Sequence, residues 1–267
     1  MMRANDVRSN DALRHGAYLC LKVPAGMRGT AATTVPESIE RLNFQNEFQP
    51  SGEPTASTVA FLRRVEGTPR DLPDDPLLSA DAVVHASAES ADLVSTLCAE
   101  ITRLLAPHVT RVLSGVVRPM LYTGNAMHNF SYAHRVLQQP GPVMPHAFLV
   151  PLNKTEAWWQ KGWMERHTYL LPRFDDSGRM LSEGHALAAA SGVDCLLRRT
   201  YKNPTEPAPA GDYDFVTYFE CTDEDVPRFH DVCAALRDVA RNPEWTFVRE
   251  GPTWHGRRVA TWAELFE

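Results

Sequence analysis

Strand and helix signals follow a similar order in the two halves of this chain, strands flanking helices in each, and few folds suit a chain built that way. In the first half, GAYLCLKV (16–23), TVAFLRRV (58–65), DAVVHAS (81–87) and HVTRVLSGVVRP (108–119) are apolar, β-prone runs. Pro24 and Pro119 stop the first and the last of them. Between the third and fourth lies ESADLVSTLCAEITRLLA (89–106), where Leu93, Leu97, Ile101 and Leu104 recur at helical spacing. The stretch 48–57 is turn-forming, and 66–79, with three prolines and four acidic residues, predicts an exposed linker.

The second half opens with a strand, HAFLVPL (146–152), followed by an aromatic-rich helix, TEAWWQKGWMER (155–166). An Asp/Gly turn (175–178) leads to a second helical piece, SEGHALAAAS (182–191). Two strands follow, VDCLLRRTY (193–201) and YDFVTYFEC (213–221), separated by a Pro-rich hairpin loop. The helix DEDVPRFHDVCAALRDVARN (223–242) has an acidic first turn and Arg237 and Arg241 near its end, both favourable to the helix dipole. Strands EWTFVRE (244–250) and RRVATW (258–262) complete the pattern. This order predicts an α+β fold with an internal repeat, its antiparallel sheets backed by helices, rather than a parallel dinucleotide-binding sheet.

Composition narrows the function. Of 267 residues, 43% are hydrophobic and 22% charged, which is ordinary for a globular chain able to bury its own core. A net charge of −6 argues against a general nucleic-acid binder, since phosphate binding draws on surplus Lys and Arg. Five cysteines, an odd number without a C-x-x-C pair, are neither a disulfide framework nor a zinc site. The first sixteen residues have no apolar stretch of signal-peptide length, and no run approaches the ~20 apolar residues of a membrane helix. A cytoplasmic protein with a small-molecule substrate, away from membranes and nucleic acid, is the expectation. No G-x-G-x-x-G, P-loop, H-E-x-x-H or G-x-S-x-G occurs.

Five segments, in order, carry more information: RVLSGVVRPMLYTG (111–124), FLVPLNKTEAWW (148–159), EGHALAAASGVDCLLRRTY (183–201), DYDFVTYFECTDEDVPRFHDVCAALRDV (212–239) and GPTWHGRRV (251–259). Together they resemble the chlorite dismutase-like heme proteins, continuously over about 110–267, with 80–106 fitting a further strand and helix. The resemblance implies two ferredoxin-like halves, 1–113 and 114–267, forming a dimeric α+β barrel with helices outside. It implies heme b as cofactor and a homo-oligomer, a pentamer being favoured at this length.

By its residues alone His185, one of ten histidines, reads as a solvated helix residue. The resemblance makes it the proximal heme ligand and Arg198, 13 residues on, the distal arginine, with Arg199 competing for the second role. Neutral imidazole is a good ligand for heme iron, and a fixed guanidinium suits an anionic oxidant on the open side. His167, in MERHT (164–168), is the alternative ligand, at 31 residues from Arg198. By the same resemblance Trp158 and Trp159 flank the heme and Tyr122 lies near its edge. Glu244 matches a carboxylate bonded to the proximal histidine, and Lys154 is structural or pairs with a propionate. Val150 stands where coproheme decarboxylases carry a relay tyrosine, and an aliphatic side chain cannot pass an electron as a phenol does. The implied function is a heme b oxidoreductase using chlorite or peroxide. The extra residues near 166–180 and the loop NPTEPAPAG (203–211) predict a reshaped pocket suited to an organic substrate. A heme lyase of the aldoxime dehydratase type and a non-catalytic heme protein are the alternatives.

Overall fold

A computed structural model describes residues 14–23, 36–43, 55–65, 75, 77–106, 108–117, 144–193 and 195–267. Its central strands are buried on both faces, which is why they read as near-continuous apolar runs. In β1 (His15–Leu21), Tyr18 and Cys20 face one core while Leu19 and Leu21 face another. The strand joins β2 (Ser57–Arg64), β3 (Ala82–Ala88) and β4 (Val109–Val117) in the order β4-β1-β3-β2. The second half contributes β5 (His146–Lys154), β8 (Leu197–Lys202), β9 (Phe215–Cys221) and β11 (Trp254–Arg258) in the order β8-β9-β5-β11. Numbered within each half, both orders are the same 4-1-3-2 arrangement read from opposite ends, as the ferredoxin-like repeat requires.

Two short seams close these halves into an antiparallel ring of eight strands. One joins Val116 and Val117 of β4 to Lys202 and Tyr201 of β8. The other joins β11 to Leu62–Arg64 of β2. The short strand β10 (Val248–Glu250) lies outside the ring, paired with the last residues of β5. The expected 113/114 division falls within β4, which pairs with β1. Tyr18, Leu62, Leu149, Tyr218 and Trp254 fill the inside of the ring.

Helices cover the outside. After α1 (Glu37–Glu40), α2 (Ala91–Leu105) lies on the first half, its start capped by Ser90 Oγ accepting from the Leu93 amide at 3.3 Å. Ile101 and Leu105 pack there with Leu19, Phe61, Val84 and Trp262. On the second half, α3 (Glu156–Trp159), α4 (Trp163–Thr168), α5 (Gly184–Ala188) and α6 (Val226–Arg237) take this place. A small hairpin, β6 (Arg173–Phe174) with β7 (Met180–Ser182), separates α4 from α5 around the expected turn at 175–178.

Several sequence expectations are corrected. The aromatic-rich helix breaks at Gly162, whose backbone is extended (φ −62°, ψ 154°). The helical piece at 182–191 is one turn of α-helix followed by a 3₁₀ turn (Ala190–Gly192), and β8 starts only at Leu197. The strand expected at 244–250 begins as a 3₁₀ turn, Pro243–Phe247, and the last strand ends at Arg258 instead of spanning 258–262. In the expected linker, Leu77 and Leu78 are buried and their amides donate to Asp75 Oδ1. The turn-forming stretch 48–57 lies largely outside the described residues.

Candidate active site

The site begins with how the chain holds α5, a helix too short to be stable alone. The amides of Glu183 and Gly184 both donate to the Arg241 carbonyl, at 2.9 and 3.0 Å. The Arg241 guanidinium returns to the Glu183 carboxylate at 3.0 and 2.8 Å. On the other side the Ala186 amide donates to the Leu170 carbonyl at 3.2 Å. Gly184 sits at φ +65°, and a Cβ there would come within 2.4 Å of the Leu171 carbonyl oxygen. Only glycine fits this entry, so the next residue, His185, is presented from a fixed backbone.

His185 is buried, and both of its ring nitrogens are bonded. Nδ1 lies 2.8 Å from Glu244 Oε2, and Nε2 lies 3.0 Å from Arg198 Nη2. A guanidinium can only donate, so Nε2 is the acceptor. The ring proton is then on Nδ1, donated to Glu244, and the imidazole is neutral. Burial pushes the His185 pKa below 6.5, and the nearby Arg198 and Lys154 cations add to this against the pull of Glu244. Glu244 is itself buried beside Lys154, whose Nζ donates to Oε1 at 2.5 Å. Burial alone would push its carboxyl up. Lys154 and His185 outweigh that, holding it well below the usual carboxylate range and ionised.

Lys154 ends β5, and its amide donates to Asp214 Oδ2 at 2.6 Å. Its ammonium also lies 4.4 Å from the centre of the Trp158 ring. The structure therefore joins Trp158, Lys154, Glu244, His185 and Arg198 in one chain of contacts running from β5 to β8. The 3₁₀ turn is what brings Glu244 there: Asn242 anchors it by donating to the Leu236 carbonyl at 2.9 Å. The sequence resemblance implies a lysine that is structural or pairs with a propionate; its partner here is Glu244. The lysine–carboxylate pair spans 90 residues, so no local spacing announces it.

The other candidates divide. Trp159 turns away from Trp158, stacking on Phe215 at 6.3 Å under the Arg166 guanidinium at 5.0 Å. Its Nε1–H is buried and meets no acceptor among the described residues. His167 is half-buried, edge-on to Trp163 at 6.2 Å, and takes no part in the His185 group. Arg199 alternates onto the other face of β8 from Arg198, the side of Leu197 and Tyr201, which pack inside the ring. Val150 is buried with Phe219 beneath α5 and α6. Tyr122 lies outside the described residues. A separate cavity of about 430 Å³ is lined by Arg63, Arg64 and Arg257, but carboxylates or backbone carbonyls already engage each of them.

Searches with family models and among curated proteins find no match. Solved structures do match. A lysine-for-arginine variant of chlorite dismutase from Candidatus Nitrospira defluvii superposes with TM-score 0.64 at 18% identity, covering 98% of each chain. A phenylalanine-for-tryptophan variant of the same enzyme, in complex with cyanide, gives 0.64 at 18% over 100% of this chain and 98% of that one. Its complex with imidazole gives 0.62 at 20% over 95% and 93%. The fold is that of the chlorite dismutases. At this identity the likeness is one of architecture along nearly the whole of both chains, and the chemistry rests on the residues.

Among the described residues no three His, Cys, Asp or Glu side chains are arranged to hold a bare metal ion. A heme asks less of the protein, because the macrocycle brings four of the iron's ligands and one imidazole supplies the fifth. His185 has what that role needs: a neutral ring, a proton fixed on Nδ1 by a carboxylate, and a lone pair on Nε2. The buried indole N–H of Trp159 is in turn a donor suited to a carboxylate. This donor set fits a heme.

Proposed function

We propose that this chain binds heme b through His185 and works as a heme-dependent oxidoreductase with chlorite or peroxide as oxidant. The carrying observation is the buried Lys154–Glu244–His185 relay, which leaves Nε2 as the one unprotonated ring nitrogen and aims it towards Arg198. A bound heme would supply a redox-active iron with a position open to the oxidant. His185 would ligate it, and the hydrogen bond to Glu244 would make the imidazole a stronger electron donor. Lys154 keeps Glu244 ionised and limits how far it draws the proton from Nδ1. Arg198 would supply positive charge for an anion such as chlorite. Val150 has no phenol for a relay, which speaks against coproheme decarboxylation.

An organic substrate is the more specialised form of this reading. It draws support from the segment between Trp159 and His185, which exposes Trp163 (71%), Met164 (67%), Phe174 and Leu181. We also propose that the chain assembles as a homo-oligomer in the cytoplasm, as a soluble enzyme; among the described residues no helix is long and apolar enough to cross a membrane. The test of function is to load the purified chain with hemin and follow chlorite loss with an oxygen electrode, beside peroxide-driven oxidation of a dye. Turnover of either, cut at least tenfold in Arg198→Gln, is expected. A loaded protein inert to both oxidants would contradict the proposal.

A further inference from the structure

The bond between Arg198 and His185 has a consequence of its own, which rests on the proposed reading. Nε2 of a neutral imidazole carries a single lone pair, and Arg198 Nη2 already occupies it at 3.0 Å. A metal ligated by His185 would need the same lone pair. We propose that Arg198 is a latch on cofactor loading: the guanidinium and the metal of a porphyrin compete for His185 Nε2, so the porphyrin binds only as Arg198 swings away.

Which partner moves follows from how each is held. The backbone of His185 is tied on both sides, through Glu183 and Gly184 to Arg241 and through Ala186 to Leu170. Glu244 holds its ring from behind at 2.8 Å. Arg198 also stands on fixed backbone, since β8 pairs with β9 along its whole length. Its side chain, however, has four rotatable bonds and reaches His185 across the Phe219 ring, whose centre is 5.9 Å from the guanidinium carbon. Ligation through Nε2 requires the guanidinium to leave the lone pair it holds, and that loss adds to the barrier for loading.

The experiment uses the full chain expressed without added heme. Nitrogen-15 spectra of the His185 ring in the native protein are expected to show the Nδ1–H form with Nε2 as a hydrogen-bond acceptor. A proton on Nε2, or an Nε2 signal unchanged in Arg198→Leu, would overturn the latch. Acylation of His185 by diethylpyrocarbonate, which attacks the free ring nitrogen, should be roughly tenfold faster in Arg198→Leu, and hemin association should accelerate by a similar factor. Arg198→Lys, which retains a donor, should fall between. Hemin binding at one rate in all three proteins would overturn the latch while leaving the heme reading intact. Hemin binding to none of them would overturn the heme reading and the latch as a loading control, whereas the nitrogen spectra would still report the bond.

Discussion

The two outer faces of the ring follow the same strand order and are both covered by helix, yet they are made of different chemistry. Beneath α2 the first half packs Leu19, Phe61, Val84, Ile101 and Trp262 in an apolar layer. Beneath α5 and α6 the second half also packs Phe148, Phe219, Phe229 and Leu236, but Lys154, Glu244, His185 and Arg198 are buried beside them. A buried ion pair seldom stabilises a protein more than apolar packing of the same volume would. The charged face therefore points to a use beyond folding, and the apolar face shows what the fold alone needs.

The sharpest way to break this comparison is to remove one charge. Lys154→Met leaves Glu244 ionised and buried without its ammonium, and should cost ~3–5 kcal/mol in urea unfolding. Adding Glu244→Leu should then recover most of that loss; a double variant as weak as the single one would mean the pair is structurally required. On the apolar face Ile101→Ala, which opens a cavity, should cost about 3 kcal/mol. No charge is left unpaired there, and His185 spectra should remain unchanged. Ser90→Ala removes the α2 cap and should cost about 1 kcal/mol, read as a shift of the same midpoint.

A pH-dependent effect concerns the edge of the charged half. His255 stacks on Phe148 at 4.0 Å, with its Nε2 2.9 Å from His146 Nδ1. Burial, followed by the neighbouring His146, His230 and Arg257, lowers its pKa from 6.5 to about 4. The unfolded chain takes up a proton below pH 6.5 that the folded chain refuses until about pH 4. Stability should thus fall as pH drops through that window, and His255→Phe should flatten the decline. An unchanged pH profile in that variant would assign the acid sensitivity to other groups.

Much of the frame was legible in the sequence, because seven-to-nine-residue apolar runs and one strong helical period mark β1, β3, β5, β9 and α2 directly. At the misread places a side chain bonds backbone carbonyls and interrupts the element that composition predicts. EWTFVRE has a strand's composition, but Pro243 starts a 3₁₀ turn that Asn242 ties to the end of α6. TEAWWQKGWMER has helical composition, yet it breaks at Gly162, where Arg166 bonds the Trp159 and Lys161 carbonyls and pairs with Glu206, 40 residues on. In the site, the resemblance selected His185, Arg198 and Glu244 by position, and the structure brings all three into contact. The role of Lys154 was not readable, since its carboxylate partner lies 90 residues away. The direct bond between Arg198 and His185 was also unforeseen; sequence reasoning placed them on opposite sides of an iron.

The most direct test of the central claim is a hemin titration of the full chain beside His185→Ala and His167→Ala, read by the Soret band. The account predicts stoichiometric binding by the native chain and by His167→Ala, and loss of the ligated spectrum in His185→Ala alone. A spectrum that survives in His185→Ala and vanishes in His167→Ala would contradict the assignment of the site. No Soret band in the native chain would contradict the heme reading itself.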